Sequence, residues 1–308
     1  MHIPLIILSI FVLFALLCYV CFRIAIIRGR QVDLTKGEFS EKDPLYPYRD
    51  RFIEAGKWYD NLYKEPMEIT SFDGLKLYGE FVPNENSRKT IILMHGFHST
   101  KSDFCLALKN YRNLGFNLML IDQRCHSRSE GRYITFGIKE KYDCRDWVNA
   151  ILEKYGEDMD IVLSGISMGA STVLMASGLE LPKNVKCIIA DSGFTSGWDI
   201  VRNTAKSINR HIPNFLVEMV NLLCRVFADF DLKEDNTLLA LKKCELPVLF
   251  IHGTADPIVP CEMTLRNHAV CHSPKELVTV VGAGHGMGYL IEPERCSKAI
   301  ESFLEKYL

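Results

Sequence analysis

The sequence predicts an α/β fold: a mostly parallel, eight-stranded sheet flanked by helices, with a small helical cap after strand six and an N-terminal transmembrane helix. Three observations predict it. From Glu65 onward, short apolar runs alternate with helix-period stretches, the pattern of a parallel sheet covered on both faces. The runs Met67 to Phe72 and Leu75 to Val82 flank Asp73-Gly74, a two-residue hairpin signal that opens the sheet with an antiparallel pair. Finally, 48% hydrophobic against 24% charged residues over 308 positions supply the apolar content for a sizeable core, which disordered or collagenous chains lack.

The first element is Ile3 to Phe22, twenty residues without a charge. As a helix this run reaches about 30 Å, the thickness of a hydrocarbon core. No basic stretch precedes it and no A-x-A follows, so it does not fit a cleaved signal peptide. Arg23, Arg28, Arg30 and Lys36 lie on its C-terminal side, and the positive-inside rule then places the remainder in the cytoplasm. The expected organisation is a transmembrane anchor over 1–22, a juxtamembrane linker with a helix near its end over 23–64, and the α/β domain over 65–308. With 36 Lys+Arg against 38 Asp+Glu the formal net charge is -2, so the expected partners are the membrane and a small molecule, and not nucleic acid. Eleven scattered cysteines include no paired C-x-x-C motifs, so no metal site is expected, and unpaired thiols suit a reducing compartment.

Six further strands are expected: Thr90 to Met94, Phe116 to Ile121, Ile161 to Ser164, Lys186 to Ala190, Val248 to Ile251 and Leu277 to Val281. The chemistry centres on Gly165-Ile166-Ser167-Met168-Gly169, between the strand ending at Ser164 and a helix from about Met168. A strand-turn-helix setting holds the central residue strained and exposed, and the flanking glycines let backbones pass closely. Ser167 is the candidate nucleophile, against the plainer alternative of a serine in a glycine-rich turn.

Partners follow in the order Ser, Asp, His. Asp256 lies in His252-Gly253-Thr254-Ala255-Asp256 after one strand, and His285 in Gly282-Ala283-Gly284-His285-Gly286 after the last. A serine hydroxyl needs an imidazole to take its proton, and the imidazole needs a carboxylate on its other nitrogen to set the tautomer. Parallel-sheet sites gather at the carboxyl ends of strands, so the three residues converge despite separations of 89 and 29 positions. Taken singly, an N-capping Asp before Pro257 and a turn His among glycines are adequate explanations; the serine elbow outweighs them. Asp191, after strand six, is the rival acid, otherwise explained as an anchor for the start of the cap.

With these motifs together, the chain from about Glu65 resembles an α/β-hydrolase. Met94-His95-Gly96-Phe97-His98 is similar to that family's His-Gly segment after the third strand. The resemblance implies an oxyanion hole formed by the Phe97 and Met168 backbone N–H groups. His95 is expected to stabilise a turn, and His98 is a candidate substrate contact. Asp122-Gln123-Arg124-Cys125-His126-Ser127-Arg128-Ser129 resembles the family's Asp-x-Arg-Gly-His-Gly-x-Ser segment, with Cys125 and Ser127 in place of both glycines. Cys125 is read as a small filler. Glu130 to Gly137 looks like a branch of bacterial membrane-associated or uncharacterised α/β-hydrolases. Between Trp198 and Lys243 lies an insertion where family members carry a cap. Asn214 to Phe227 has one wide apolar face, which packs on the domain or in part lines an acyl pocket or meets the bilayer, making Phe215 and Met219 candidate substrate contacts.

The expected function is a serine hydrolase cleaving carboxylic esters with an apolar acyl group through an acyl-enzyme, without a cofactor. Thioesterase, acyltransferase and aminopeptidase chemistry use the same triad. An aminopeptidase would want a cap carboxylate for the substrate amine, with Glu218 and Asp229 as candidates. In another class, a membrane-tethered scaffold that has lost chemistry would normally lack the nucleophile or the histidine, and both are present.

Overall fold

The structure, a computed structural model, describes residues 3–308; Met1 and His2 of the expected anchor lie outside the described residues. Helix α1 (Ile3–Ile26) is long and apolar enough to cross a membrane. It runs four residues past the expected span, because Arg23 is a good helix former and Ile24-Ala25-Ile26 extend the apolar surface. Two short 3₁₀ turns, Leu34–Lys36 and Tyr46–Tyr48, lead into α2 (Arg49–Asp60).

Eight strands follow: β1 (Glu65–Thr70), β2 (Lys76–Val82), β3 (Lys89–Met94), β4 (Asn117–Asp122), β5 (Asp160–Ile166), β6 (Val185–Asp191), β7 (Val248–Gly253) and β8 (Lys275–Val280). They form one sheet in the order β1-β2-β4-β3-β5-β6-β7-β8. The β2 strand is antiparallel to β1 and β4, and the other neighbouring pairs are parallel. The helices between and after the strands are α3 (Leu108–Asn113), α4 (Glu140–Tyr155), α5 (Met168–Ala176), α6 (Gly197–Ile208), α7 (Asn214–Leu223), α8 (Thr237–Leu241), α9 (Cys261–Val270), α10 (Gly288–Ile291) and α11 (Pro293–Tyr307).

Successive side chains of a strand point to opposite faces, and a strand covered on both sides must be apolar at every position. In β3, Ile92 and Met94 join Trp147 of α4 and Val173 of α5 in one core, while Ile91 and Leu93 join Tyr111 of α3 and Phe303 of α11 in the other. The hairpin turn is pinned from below. Asp73 pairs with Arg124 at 2.8 Å, and the same guanidinium pairs with buried Asp143 at 2.6 Å. Cys125 and Ser127, standing where the resembled segment has glycines, both take left-handed backbone, with φ of 65° and 44°. The turn therefore keeps its glycine-like shape and bears the steric cost of a Cβ.

The cap consists of α6, α7, a π-helical turn Cys224–Ala228 and α8. Val220 and Cys224 pack in a core that also contains Phe22 and Ile26 of α1. The Phe14 and Phe215 rings meet at 5.9 Å, and those of Phe22 and Phe227 at 6.3 Å. Part of the wide apolar stripe thus packs on the domain beneath and α1 alongside, and part, including Leu222 and Val226, stays exposed.

Candidate active site

Ser167 sits between β5 and α5 with φ 56° and ψ −115°, a conformation that a side chain occupies only when the surroundings impose it. The imposition is visible at both glycines. A Cβ on Gly165 would lie 2.2 Å from the Gly169 backbone, and one on Gly169 would lie 1.8 Å from Met94 O. Strand, turn and helix therefore pass closer than any side chain allows, and the Ser167 N–H donates to Asp191 O at 2.8 Å. Ser167 and His285 line a cavity of about 720 Å³. No hydrogen bond joins their side chains in this structure.

The carboxylate of Asp256 divides its work between its two oxygens. Oδ1 accepts from the N–H groups of Ile258 and Val259 at 2.8 and 2.9 Å, which is the turn-capping role expected of an Asp before Pro257. Oδ2 faces His285 Nδ1 at 2.6 Å. Capping thus holds the second oxygen in line with the imidazole. Oδ2 also faces Nε2 of fully buried His252 at 3.1 Å, and that nitrogen lies 2.9 Å from Val259 O. Two acceptors around one ring nitrogen require that His252 Nε2 carry the proton. Burial alone raises the Asp256 carboxyl, but hydrogen bonds from His252 and His285 and the charge of His285 hold it well below the usual carboxylate range.

The His-Gly loop after β3 passes directly over the serine: a Cβ on Gly96 would sit 3.4 Å from Ser167 Cβ. The Gly96 N–H donates to Asp103 Oδ2 at 2.7 Å, and the Ser99 hydroxyl donates to the other oxygen of that carboxylate. The Phe97 and Met168 N–H groups make no backbone hydrogen bond, and the second belongs to the first turn of α5, whose amides have no intrahelical partner. His95 is buried as a turn holder: Nδ1 faces Gly96 O at 2.8 Å and Nε2 accepts from Gln123 N at 3.1 Å.

Several candidates lie elsewhere. His98 stacks on Phe97 at 3.9 Å, its N–H donates to His126 Nε2, and it does not line the cavity. Phe215 and Met219 do not line it either, and neither does any residue of the cap insertion: Val220 and Cys224 pack on α1 and the domain, while Phe215, Leu222, Val226 and Phe227 stay largely exposed. Glu218 pairs with Lys233 and Asp229 is exposed, both away from the cavity. Asp191 receives a hydrogen bond from the Ser192 hydroxyl and none from backbone amides; it forms part of the cavity lining, where burial raises its carboxyl. Cys125 is buried with its thiol donating to Tyr133 O at 3.1 Å, and burial pushes that thiol up to about 12, as suits a filler. Among the described residues no three His, Cys, Asp or Glu side chains are grouped to hold a metal ion.

Two contributions escape a sequence reading. His252 carries a signal, since it stands four residues before Asp256 at the end of a buried strand. The juxtamembrane residues Leu34, Leu45 and Phe52, which line the cavity, share no periodicity that marks them.

Comparison with known proteins agrees with this architecture. Residues 85–239, half of the chain, match the family model for serine aminopeptidase S33, and residues 204–307 match that of TAP-like protein. The chain is 26% identical to YqkD of Bacillus subtilis over 267 residues, covering 86% of this chain and 87% of that one. It is 24% identical to YfhR of Escherichia coli K12 over 229 residues, covering 72% and 73%. Among solved structures, the esterase Pf2001 of Pyrococcus furiosus superimposes with a TM-score of 0.65 at 25% identity, covering 80% of this chain and 93% of that one. With its eight-stranded sheet and its serine on a strained strand-to-helix turn, this chain belongs to the serine aminopeptidase S33 family of α/β-hydrolases.

Proposed function

We propose that this hydrolase cleaves carboxylic esters with an apolar acyl group through an acyl-enzyme. Ser167 Oγ attacks the carbonyl carbon while His285 Nε2 takes its proton, and Asp256 keeps Nδ1–H of His285 as the donor to its carboxylate. The Phe97 and Met168 amides receive the oxyanion, each worth on the order of 10² in rate. His285 then returns the proton to the leaving alcohol, and water repeats the sequence on the acyl-enzyme. The bond from Ser167 to His285 forms as substrate orders the site, since catalytic hydrogen bonds that are long in a free enzyme tighten in the complex.

The observation that carries this reading is the 2.6 Å contact of His285 Nδ1 with Asp256, on the wall of the cavity that also holds the left-handed Ser167. Helix α1 anchors the enzyme in a membrane, with the hydrolase domain on the cytoplasmic side. A fluorophosphonate probe tests the chemistry: labelling that vanishes in Ser167→Ala supports it, and a folded protein that takes no label favours the non-catalytic scaffold. One feature favours aminoacyl substrates instead, because Asp43, Asp103 and Asp191 line the cavity and no Lys or Arg does. A panel of p-nitrophenyl esters beside aminoacyl p-nitroanilides decides between ester and amide.

A further inference from the structure

Part of the wall of the cavity that holds the serine comes from the juxtamembrane segment, where the cap was expected. Leu34, Pro44, Leu45 and Phe52 line it, together with Leu290 and Met287, which pack in the same small cluster. The segment is fastened to the domain at several points. The Val32 N–H donates to His98 O at 2.9 Å, next to the oxyanion residue Phe97. Farther along, the Leu34 N–H donates to Ser102 Oγ at 3.0 Å, and Arg51 Nη1 donates to Leu290 O at 3.2 Å. Nearer α1, Ile27 forms a β-bridge with Tyr133, and the Arg28 guanidinium donates to Ser127 O and Ser129 O. Phe52, Cys105 and Leu290 form a small core of their own, on which Leu34 and Leu45 pack. A wall held by that many bonds has a defined position, and an apolar surface in a defined position sets the size of what fits against it.

We infer that the juxtamembrane segment Leu34 to Phe52 is the acyl-specificity wall of this enzyme, with Leu34 and Leu45 limiting the length of an apolar acyl chain bound to Ser167. This deepens the esterase reading and rests on it. The membrane anchor and the acyl pocket are then one continuous piece of chain, and the cap packs on α1 without touching substrate.

The test uses the full-length protein in detergent micelles and compares kcat/KM for p-nitrophenyl acetate, butyrate and octanoate. The Leu45 side chain can be changed without touching the turn beneath it, which is held by the Leu45 N–H donating to Asp43 Oδ1 at 2.8 Å. Leu45→Trp narrows the pocket. If it excludes two methylenes, each worth about fourfold, the octanoate-to-acetate ratio falls at least about tenfold. Leu45→Ala opens the pocket and raises the same ratio, which keeps the test meaningful should the tryptophan disturb folding. Phe215→Ala, in the cap, leaves the ratio as in the parent. Ratios within twofold of the parent in both Leu45 variants, or a ratio that moves with Phe215 instead, overturn the inference while the esterase reading stands. A parent protein that hydrolyses none of the three esters overturns both.

Discussion

Replacing Asp256 by Asn tests the candidate triad most directly, and the geometry fixes how it fails. The Asn carbonyl oxygen can take over the two turn bonds from Ile258 and Val259, which leaves the amide NH₂ at the position of Oδ2. That position faces His285 Nδ1 at 2.6 Å and His252 Nε2 at 3.1 Å. An NH₂ donor there requires His285 Nδ1 to be an acceptor, so the ring proton moves to Nε2 and the imidazole can no longer take the serine proton. The same NH₂ opposes the Nε2–H of His252. The expected loss is about 10⁴-fold in kcat, the size seen when an imidazole is left in the wrong tautomer, with fluorophosphonate labelling slowed in parallel. The assay is kcat for one small ester at saturation, with circular dichroism to establish that the fold is retained. Asp191→Asn is the control, since its carboxyl accepts from Ser192 and does not touch His285. Severe loss in Asp191→Asn with near-normal turnover in Asp256→Asn would refute the assignment.

Four further expectations follow from the same geometry. Ser167→Ala and His285→Ala each reduce hydrolysis to near background and the double variant is scarcely slower, because the residues act as a unit; additive losses in kcat count against a shared site. Gly169→Ala places a methyl 1.8 Å from Met94 O and destabilises the fold by more than about 4 kcal/mol, so a normal thermal midpoint would contradict the close strand–helix crossing. Burial lowers the pKa of both His95 and His126 below 6.5, so as pH falls the unfolded chain takes up their protons first. Stability is therefore full above about pH 6.5 and is lost below it, by up to about 1.4 kcal/mol per pH unit for each site. Denaturant unfolding between pH 7 and 5 measures this loss, and His126→Gln flattens it. The proposed topology, in which Arg23, Arg28 and Arg30 stay on the cytoplasmic side, expects protease added outside intact cells to leave the hydrolase domain whole; external digestion reverses it.

What the sequence determined by itself was whatever depends on local pattern. Short apolar runs marked the strands, Asp73-Gly74 marked the hairpin, and Gly165 and Gly169 around Ser167 marked a turn that only glycine neighbours permit. The candidate order Ser167, Asp256, His285 was legible because each stands just past a strand, and parallel strands deliver such positions to one edge of the sheet. The tertiary structure decided which surfaces meet. A wide apolar stripe on α7 states that something covers it, without saying whether a substrate, the bilayer or α1 does so, since burial of apolar area has no direction. Phe215 meets Phe14 along one side and stays more than half exposed, and part of the cavity wall falls to Leu34, Leu45 and Phe52, three side chains whose irregular spacing has no period to read. His252 belongs to the same class: its place beside Asp256 arises because a turn folds Val259 and the carboxylate back onto the end of β7, and that closure exists only once the chain has folded.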